Sequence, residues 1–236
     1  MKFFEDLWKI ISTPEFRNYF FQGFAGTLVI TILAALIGLV IGFIVAIIKV
    51  ISLDNKYFKI PAVICDIYTT VIRGTPVALQ LFVMVFSIIL LPDITFAVVL
   101  TFGINSGAYV SENIRAGILS IDKGQMEAGR ALGLSQITTM RKIILPQAIK
   151  NVIPAIGNEL IALLKETSII SIVGSTVGTL TFDLNSAANT VAHDPDMAGA
   201  YLASAVCAAV FYLVIVYLLT FLIKKIEGRL RASDQR

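Results

Sequence analysis

The sequence predicts an all-α membrane protein with about five transmembrane helices, an external N-terminus, a cytoplasmic C-terminus and a helical loop on the cytoplasmic side. Three observations predict it. Hydrophobic residues make up 57% of the 236, too many for a water-soluble domain of this length to hide in one core. Apolar runs near residues 25–50, 60–91, 94–119, 152–173 and 200–223 each reach the roughly 20 residues that cross a hydrocarbon layer. Lysine and arginine gather in alternate connections, on one side only.

That asymmetry sets the orientation. Lys49, Lys56 and Lys59 follow the first run; Lys123, Arg130, Arg141, Lys142 and Lys150 follow the third; Lys224, Lys225, Arg229, Arg231 and Arg236 follow the last. The opposite connections hold Pro92-Asp93 and residues 175–199, an acidic stretch without lysine or arginine. Basic residues are retained on the cytoplasmic side, so an odd number of crossings leaves the N-terminus outside.

Element by element, residues 1–22 mix Phe3, Phe4, Leu7, Trp8, Ile10 and Ile11 with Lys2, Glu5, Asp6 and Lys9, which suits a helix lying in the interface plane. A cleaved signal peptide fits poorly, because the apolar run that follows is about twice a usual h-region of roughly 7–15 residues. Residues 23–224 form the transmembrane domain, with its loop at about 120–150, and residues 225–236 form a cytoplasmic tail. The second run contains Arg73-Gly74-Thr75-Pro76. Proline removes a backbone donor and disfavours helix in the residue before it, so Gly74 and Pro76 mark a kink or break. Lys165 and Glu166 interrupt the fourth run.

Several function classes lack their residues. The net charge of +3 is spread over short loops and is explained by topology, with no case for nucleic acid. Cys65 and Cys207 stand far apart, without disulfide or metal spacing. His193 is the only histidine. One histidine makes no multi-histidine metal site and no evident Ser-His-Asp arrangement, and beside Asp194 and Pro195 it reads as an exposed loop residue. No G-x-x-x-x-G-K-[ST] loop occurs, so nucleotide phosphates have no recognisable cradle and any ATP is hydrolysed elsewhere.

The loop carries the most information. Asp122 and Gln125 make a capping-box pattern for a helix over about 123–132. Gly133 is placed to end it in a left-handed conformation, and Ser135 to cap a second helix running toward Pro146. Ala128, Gly129 and Ala131 allow close backbone approach by another protein, and Glu127 meets the positive end of the helix dipole. Two readings stand on this chemistry: a docking element, or an amphipathic loop folded back on its own bundle.

The spacing of Glu127-Ala128-Gly129, Gly133 and Ile143-Ile144-Leu145-Pro146 resembles the "EAA" signature of permease subunits in ABC importers. Gly23-Phe24-Ala25-Gly26-Thr27-Leu28, Arg73-Gly74-Thr75-Pro76 with Gln80-Leu81-Phe82, Ala108-Tyr109 with Glu112 and Arg115, Asn158-Glu159, and Leu163-Leu164-Lys165-Glu166-Thr167-Ser168 are similar to the polar amino-acid uptake branch. The likeness covers roughly residues 20–225 and leaves 175–199 without a motif. It implies a coupling helix, with Glu127, Ala128, Gly129, Gly133, Ile143, Leu145 and Pro146 meeting a cytoplasmic ATPase. It further implies a second permease subunit, the same or homologous, two ATPase subunits that hold ATP and Mg, an external binding protein that delivers an amino acid, and a bacterial plasma membrane. No cofactor or metal is expected on this chain.

Ionisable groups at membrane depth each cost roughly 2.5–3.5 kcal/mol on insertion scales, so Asp66, Arg73, Glu112, Arg115, Glu159, Lys165 and Glu166 face protein or water. Glu112 and Arg115, three apart, can simply pair on one helix face; Lys165 and Glu166 can cap, contact a partner or line a cavity. Alternatively some of these groups match the charged ends of a zwitterion beside broken helices, with Thr75, Asn105, Glu112, Glu159 and Glu166 as candidates. Competing functions are a secondary transporter or channel, a membrane-embedded enzyme, for which no clustered nucleophile, base or metal constellation is visible, and an ABC permease for another small solute such as methionine, or an exporter.

Overall fold

The computed structural model describes residues 2–87, 94–174, 178–197 and 199–232. The end of the second apolar run after Ser87, the Pro92-Asp93 connection, Ser175 at the head of the acidic stretch and Arg236 lie outside them. Among the described residues there are helices and turns but no strand: α1 (Lys2–Ser12), α2 (Pro14–Ile51), α3 (Lys59–Gly74), α4 (Val77–Ser87), α5 (Ile94–Leu119), α6 (Lys123–Ala131), α7 (Gln136–Thr139), α8 (Leu145–Glu166), α9 (Leu184–Ala192) and α10 (Tyr201–Ala232).

The interfacial segment expected over 1–22 divides at Thr13. Pro14 opens α2, in the first-turn position where a missing amide costs nothing. Over 38 residues α2 is about 57 Å long at 1.5 Å per residue, more than a hydrocarbon layer needs. α1 buries Ile10 and donates from Lys9 Nζ to the Asp196 carbonyl at 2.7 Å. Phe4, Trp8 and Ile11, one turn apart on one stripe, stay exposed. The expected break at Gly74 and Pro76 is real: α3 ends at Gly74 and α4 starts at Val77.

Among the described residues three helices are long and apolar enough to cross a membrane alone, Pro14–Ile51, Ile94–Leu119 and Tyr201–Leu230, and Lys56–Gly74 with Val77–Phe86 adds a fourth when taken as one broken span. The run expected over 152–173 is helical, as α8 followed by a 3-10 turn over Thr167–Ile172, yet it falls outside that set. Gln147, Lys150, Asn151, Asn158 and Glu159 make it too polar to face lipid all round. α10 runs on through the expected tail as far as Ala232.

The chain packs as two compact units. One comprises residues 1–37, 75–103 and 161–218, the other 38–74, 104–160 and 219–236. The first has a dry core of Ile30 and Ala34 from α2, Leu81 from α4, Val98, Val99 and Phe102 from α5, Leu163 and Ile170. The second has a glycine seam. A side chain on Gly38 would crowd Ser106, one on Gly42 would drive into Val110, and one on Gly107 would meet Ile41 and the Tyr68 hydroxyl. Gly38 and Gly42 are four apart on one helix face, the small-residue spacing that lets membrane helices approach closely.

Candidate functional site

The loop between α5 and α8 is built by local rules. Asp122 Oδ1 accepts from the Gly124 amide at 2.6 Å; Gln125 is exposed, so only the aspartate half of the expected box is made. At the other end Gly133 takes φ +78°. The Gly133 amide donates to the Arg130 carbonyl at 2.9 Å and the Leu134 amide to the Gly129 carbonyl at 3.1 Å, the paired bonds of a Schellman stop. Ser135 Oγ then accepts from the Thr138 amide at 3.2 Å and caps α7. The second helix does not stop at Pro146. A π turn over Met140–Ile144 carries it into α8; Pro146 contributes no amide there, and Gln147 Nε2 donates to the Ile143 carbonyl at 2.9 Å.

The close approach that Gly129 permits is used inside the chain: Gly129 is buried, and a Cβ there would collide with the side chain of Thr139. Ile144 is buried and Ile143 and Leu145 half-buried in the same fold-back. What the hairpin offers to solvent is Glu127, Ala128, Ala131 and Pro146, with Leu132 and Ile137 at 79% and 80% exposure. Apolar side chains so fully solvated at one tip are what a docking surface leaves uncovered.

A cavity of about 610 Å³ opens in the same unit, lined among others by Lys49, Asp66, Thr69, Arg73, Glu112 and Arg115. Lys49 Nζ lies 2.7 Å from Asp66 Oδ1 and 2.6 Å from Glu112 Oε1, and donates to Thr69 Oγ1 at 3.2 Å. Arg115 holds the other Glu112 oxygen at 3.0 Å. The guanidinium of Arg73 sits over the Tyr109 ring, 5.1 Å from its centroid. The expected Glu112–Arg115 pair is therefore formed, as part of a larger network tying α2, α3 and α5 together. Sequence reasoning assigned Lys49 to a charged loop; nothing local reveals that it turns inward.

The other candidates are dispersed. Asn105 is buried on α5 and Glu159 half-buried on α8, and neither belongs to the wall of that cavity. Thr75 braces the helix break: Gln80 Nε2 donates to its hydroxyl at 2.9 Å and its carbonyl at 3.1 Å. Glu166, half-buried, closes α8 where the 3-10 turn begins. Its neighbour Lys165 lines a second cavity, of about 400 Å³, with Ser168, Ala209, Tyr212, Leu213 and Val216.

Residues 178–197, for which the sequence offered no motif, hold a buried carboxylate. Asp183 is fully buried and caps α9 by accepting from the Asn185 and Ser186 amides, each at 3.1 Å, and from the Ser186 hydroxyl. Burial pushes its carboxyl up from the usual aspartate range, while those donors pull it back. An N-cap aspartate before a small-residue helix was the available signal.

Long apolar helices, a broken span and a capped helical hairpin between two of the helices define a multi-pass membrane transport subunit. The chain belongs to the family described as binding-protein-dependent transport system inner membrane component, whose sequence pattern matches residues 38–232. It is 39% identical over 224 residues to the arginine transport system permease protein ArtQ of Bacillus subtilis, covering 92% of this chain and 94% of that protein. To the putative glutamine transport system permease protein GlnP of Rickettsia bellii it is 40% identical over 216 residues, 90% of this chain and 93% of the other. Among solved structures, an amino acid ABC transporter crystallised with histidines matches with a TM-score of 0.82 at 34% identity, covering 93% of this chain and 98% of that one.

Proposed function

We propose that this chain is the membrane-spanning permease subunit of an ATP-driven importer that takes up polar amino acids handed over by an external binding protein. The observation that carries it is the capped hairpin of α6 and α7, which sets Glu127, Ala128, Leu132 and Ile137 into solvent in a chain without a phosphate loop of its own. A cytoplasmic ATPase, holding ATP and Mg, seats on that hairpin, and a second permease subunit completes the pathway. The named substrates of the similar permeases, arginine and glutamine, support a polar amino acid. Glu112 with its Lys49 and Asp66 partners, and Glu166 beside the Lys165 cavity, are the pathway groups the geometry favours. ATP drives the cycle by binding one conformation better than the other, because a ligand with equal affinity for both shifts nothing.

The test is reconstitution with the ATPase and candidate binding proteins, with L-arginine, L-glutamine and L-methionine as probes. ATP-dependent uptake of arginine or glutamine is expected. Uptake that persists without the ATPase and follows an ion gradient overturns the reading in favour of a secondary transporter. ATP-driven uptake of methionine alone moves it to another solute.

A further inference from the structure

The first turns of α2 mark the level at which the chain meets the membrane surface. Glu15, Arg17, Asn18 and Gln22 precede an unbroken stretch from Gly23 to Ile48 that holds no ionisable residue, so Phe20 and Phe21 stand at the boundary between headgroups and hydrocarbon. A cavity of about 180 Å³ lies there, lined by Ile10 and Ile11 of α1, Phe20 and Phe21 of α2, and Cys207 and Phe211 of α10, with Arg17 as the charged member of its wall. Aromatic rings fix its shape. Phe20 stacks on Phe211 at 5.7 Å between centroids, and Phe21 meets the same ring edge-on at 6.1 Å. Such a wall holds no carboxylate for the ammonium of an amino acid and few partners for water; apolar cavities of this size stay dry and accept hydrocarbon.

Arg17 gives the cavity a charged rim. Its Nη1 donates to the Ile11 carbonyl at 2.9 Å and to the Ser12 carbonyl at 3.4 Å, which fixes the guanidinium at the end of α1 and leaves its other edge for a further acceptor. Arg17 is exposed, so that acceptor can reach it from the headgroup layer, and a guanidinium suits phosphate oxygens taken two at a time. Glu15, the carboxylate two residues away, is already engaged by the Tyr19 hydroxyl at 2.7 Å. A zwitterionic headgroup would therefore bring an ammonium for which the rim has no open partner. Ile11, in the cavity wall, also continues the exposed stripe of Phe4 and Trp8, the face by which an amphipathic helix lies in the interface.

We infer that the junction of α1, α2 and α10 is a binding site for an anionic phospholipid, with the phosphate on Arg17 and one acyl chain between Phe20, Phe21 and Phe211. The bound lipid fastens α1 to the two long helices. The site requires only that α2 and α10 cross a membrane, and it holds or fails independently of what the chain transports.

Trp8 is the chain's single tryptophan, one turn from Ile11, and reports on the site. The full chain is reconstituted into phosphatidylcholine vesicles in which a minor fraction of the lipid carries brominated acyl chains, which quench indole fluorescence on contact. That fraction is either phosphatidylglycerol or phosphatidylcholine. Brominated phosphatidylglycerol is expected to quench Trp8 with about tenfold higher apparent affinity, the worth of one charge-assisted contact. Arg17→Gln should bring the two lipids level, and Cys207→Phe, which fills the cavity and keeps the charge, should also cut the preference. Equal quenching by the two lipids in the unaltered protein overturns the inference without recourse to any variant. A preference that survives Arg17→Gln overturns it as well, and so does one that Cys207→Phe leaves intact, which would mean attraction of headgroups with no chain in the cavity.

Discussion

Lys49 is the residue on which the charged cavity turns. Its side chain is 10% exposed and stands between two carboxylates from different helices; if it were lost, Arg115 would still hold Glu112, but nothing cationic would stand between the two carboxylates. Asp66 is 59% exposed and is therefore well screened, so its share of the interaction is small. Glu112, at 20%, is not. Lys49→Met is expected to destabilise the detergent-solubilised protein by about 1.5–3 kcal/mol, measured by denaturant unfolding. In double-mutant cycles the coupling of Lys49 to Glu112, probed with Glu112→Gln, should exceed that to Asp66, probed with Asp66→Asn; no coupling to Glu112 would remove Lys49 from its central place. Glu112 and Arg115 were readable as a pair from their spacing on one helix. The lysine, 63 positions from Glu112, was not, because only the packing of α2 against α5 brings the two together.

At the scale of elements, the α6–α7 hairpin divides its glycines between two tasks. Gly133 supplies a left-handed turn, φ +78°, where a side chain costs roughly 1–2 kcal/mol. Gly129 supplies space against Thr139. Gly129→Ala should therefore uncouple substrate-stimulated ATP hydrolysis in the purified complex, and Thr139→Ala should restore part of it by clearing the obstruction, whereas Gly133→Ala has no such rescue. Gly133→Asp, which also sets a carboxylate near the negative end of α6, should abolish stimulation while leaving membrane insertion intact. Equal stimulation in Gly129→Ala and the unaltered protein would argue that the hairpin does not transmit force. The caps at Asp122 and Ser135 and the stop at Gly133 were legible because they follow from neighbours a few residues away. The burial of Gly129 was not: small residues at helical spacing fit an internal partner and an external one equally, and only the fold chooses.

For the whole molecule, the apolar runs announced the long helices, but α8 shows where composition stops being a guide. It is less apolar along its length than α2, α5 and α10, because Gln147, Lys150, Asn151, Asn158 and Glu159 break its hydrocarbon face; a helix that meets protein and water on part of its surface tolerates such residues. Charge placement argues that it crosses. If α8 stayed on one side, the basic hairpin before it and the acidic stretch after it, which has no lysine or arginine, would share a compartment, and the basic end of α10 would fall in the other, against the bias that orients membrane proteins. A crossing by α8 puts all three basic regions together. Two thiol probes decide between these arrangements: Gln136→Cys at the hairpin and Asp196→Cys, both at exposed positions. In intact cells an impermeant reagent should label position 196 at once, and position 136 only after the membrane is permeabilised. Labelling of both from outside would mean that α8 does not span, and would place the hairpin beyond the reach of any cytoplasmic ATPase.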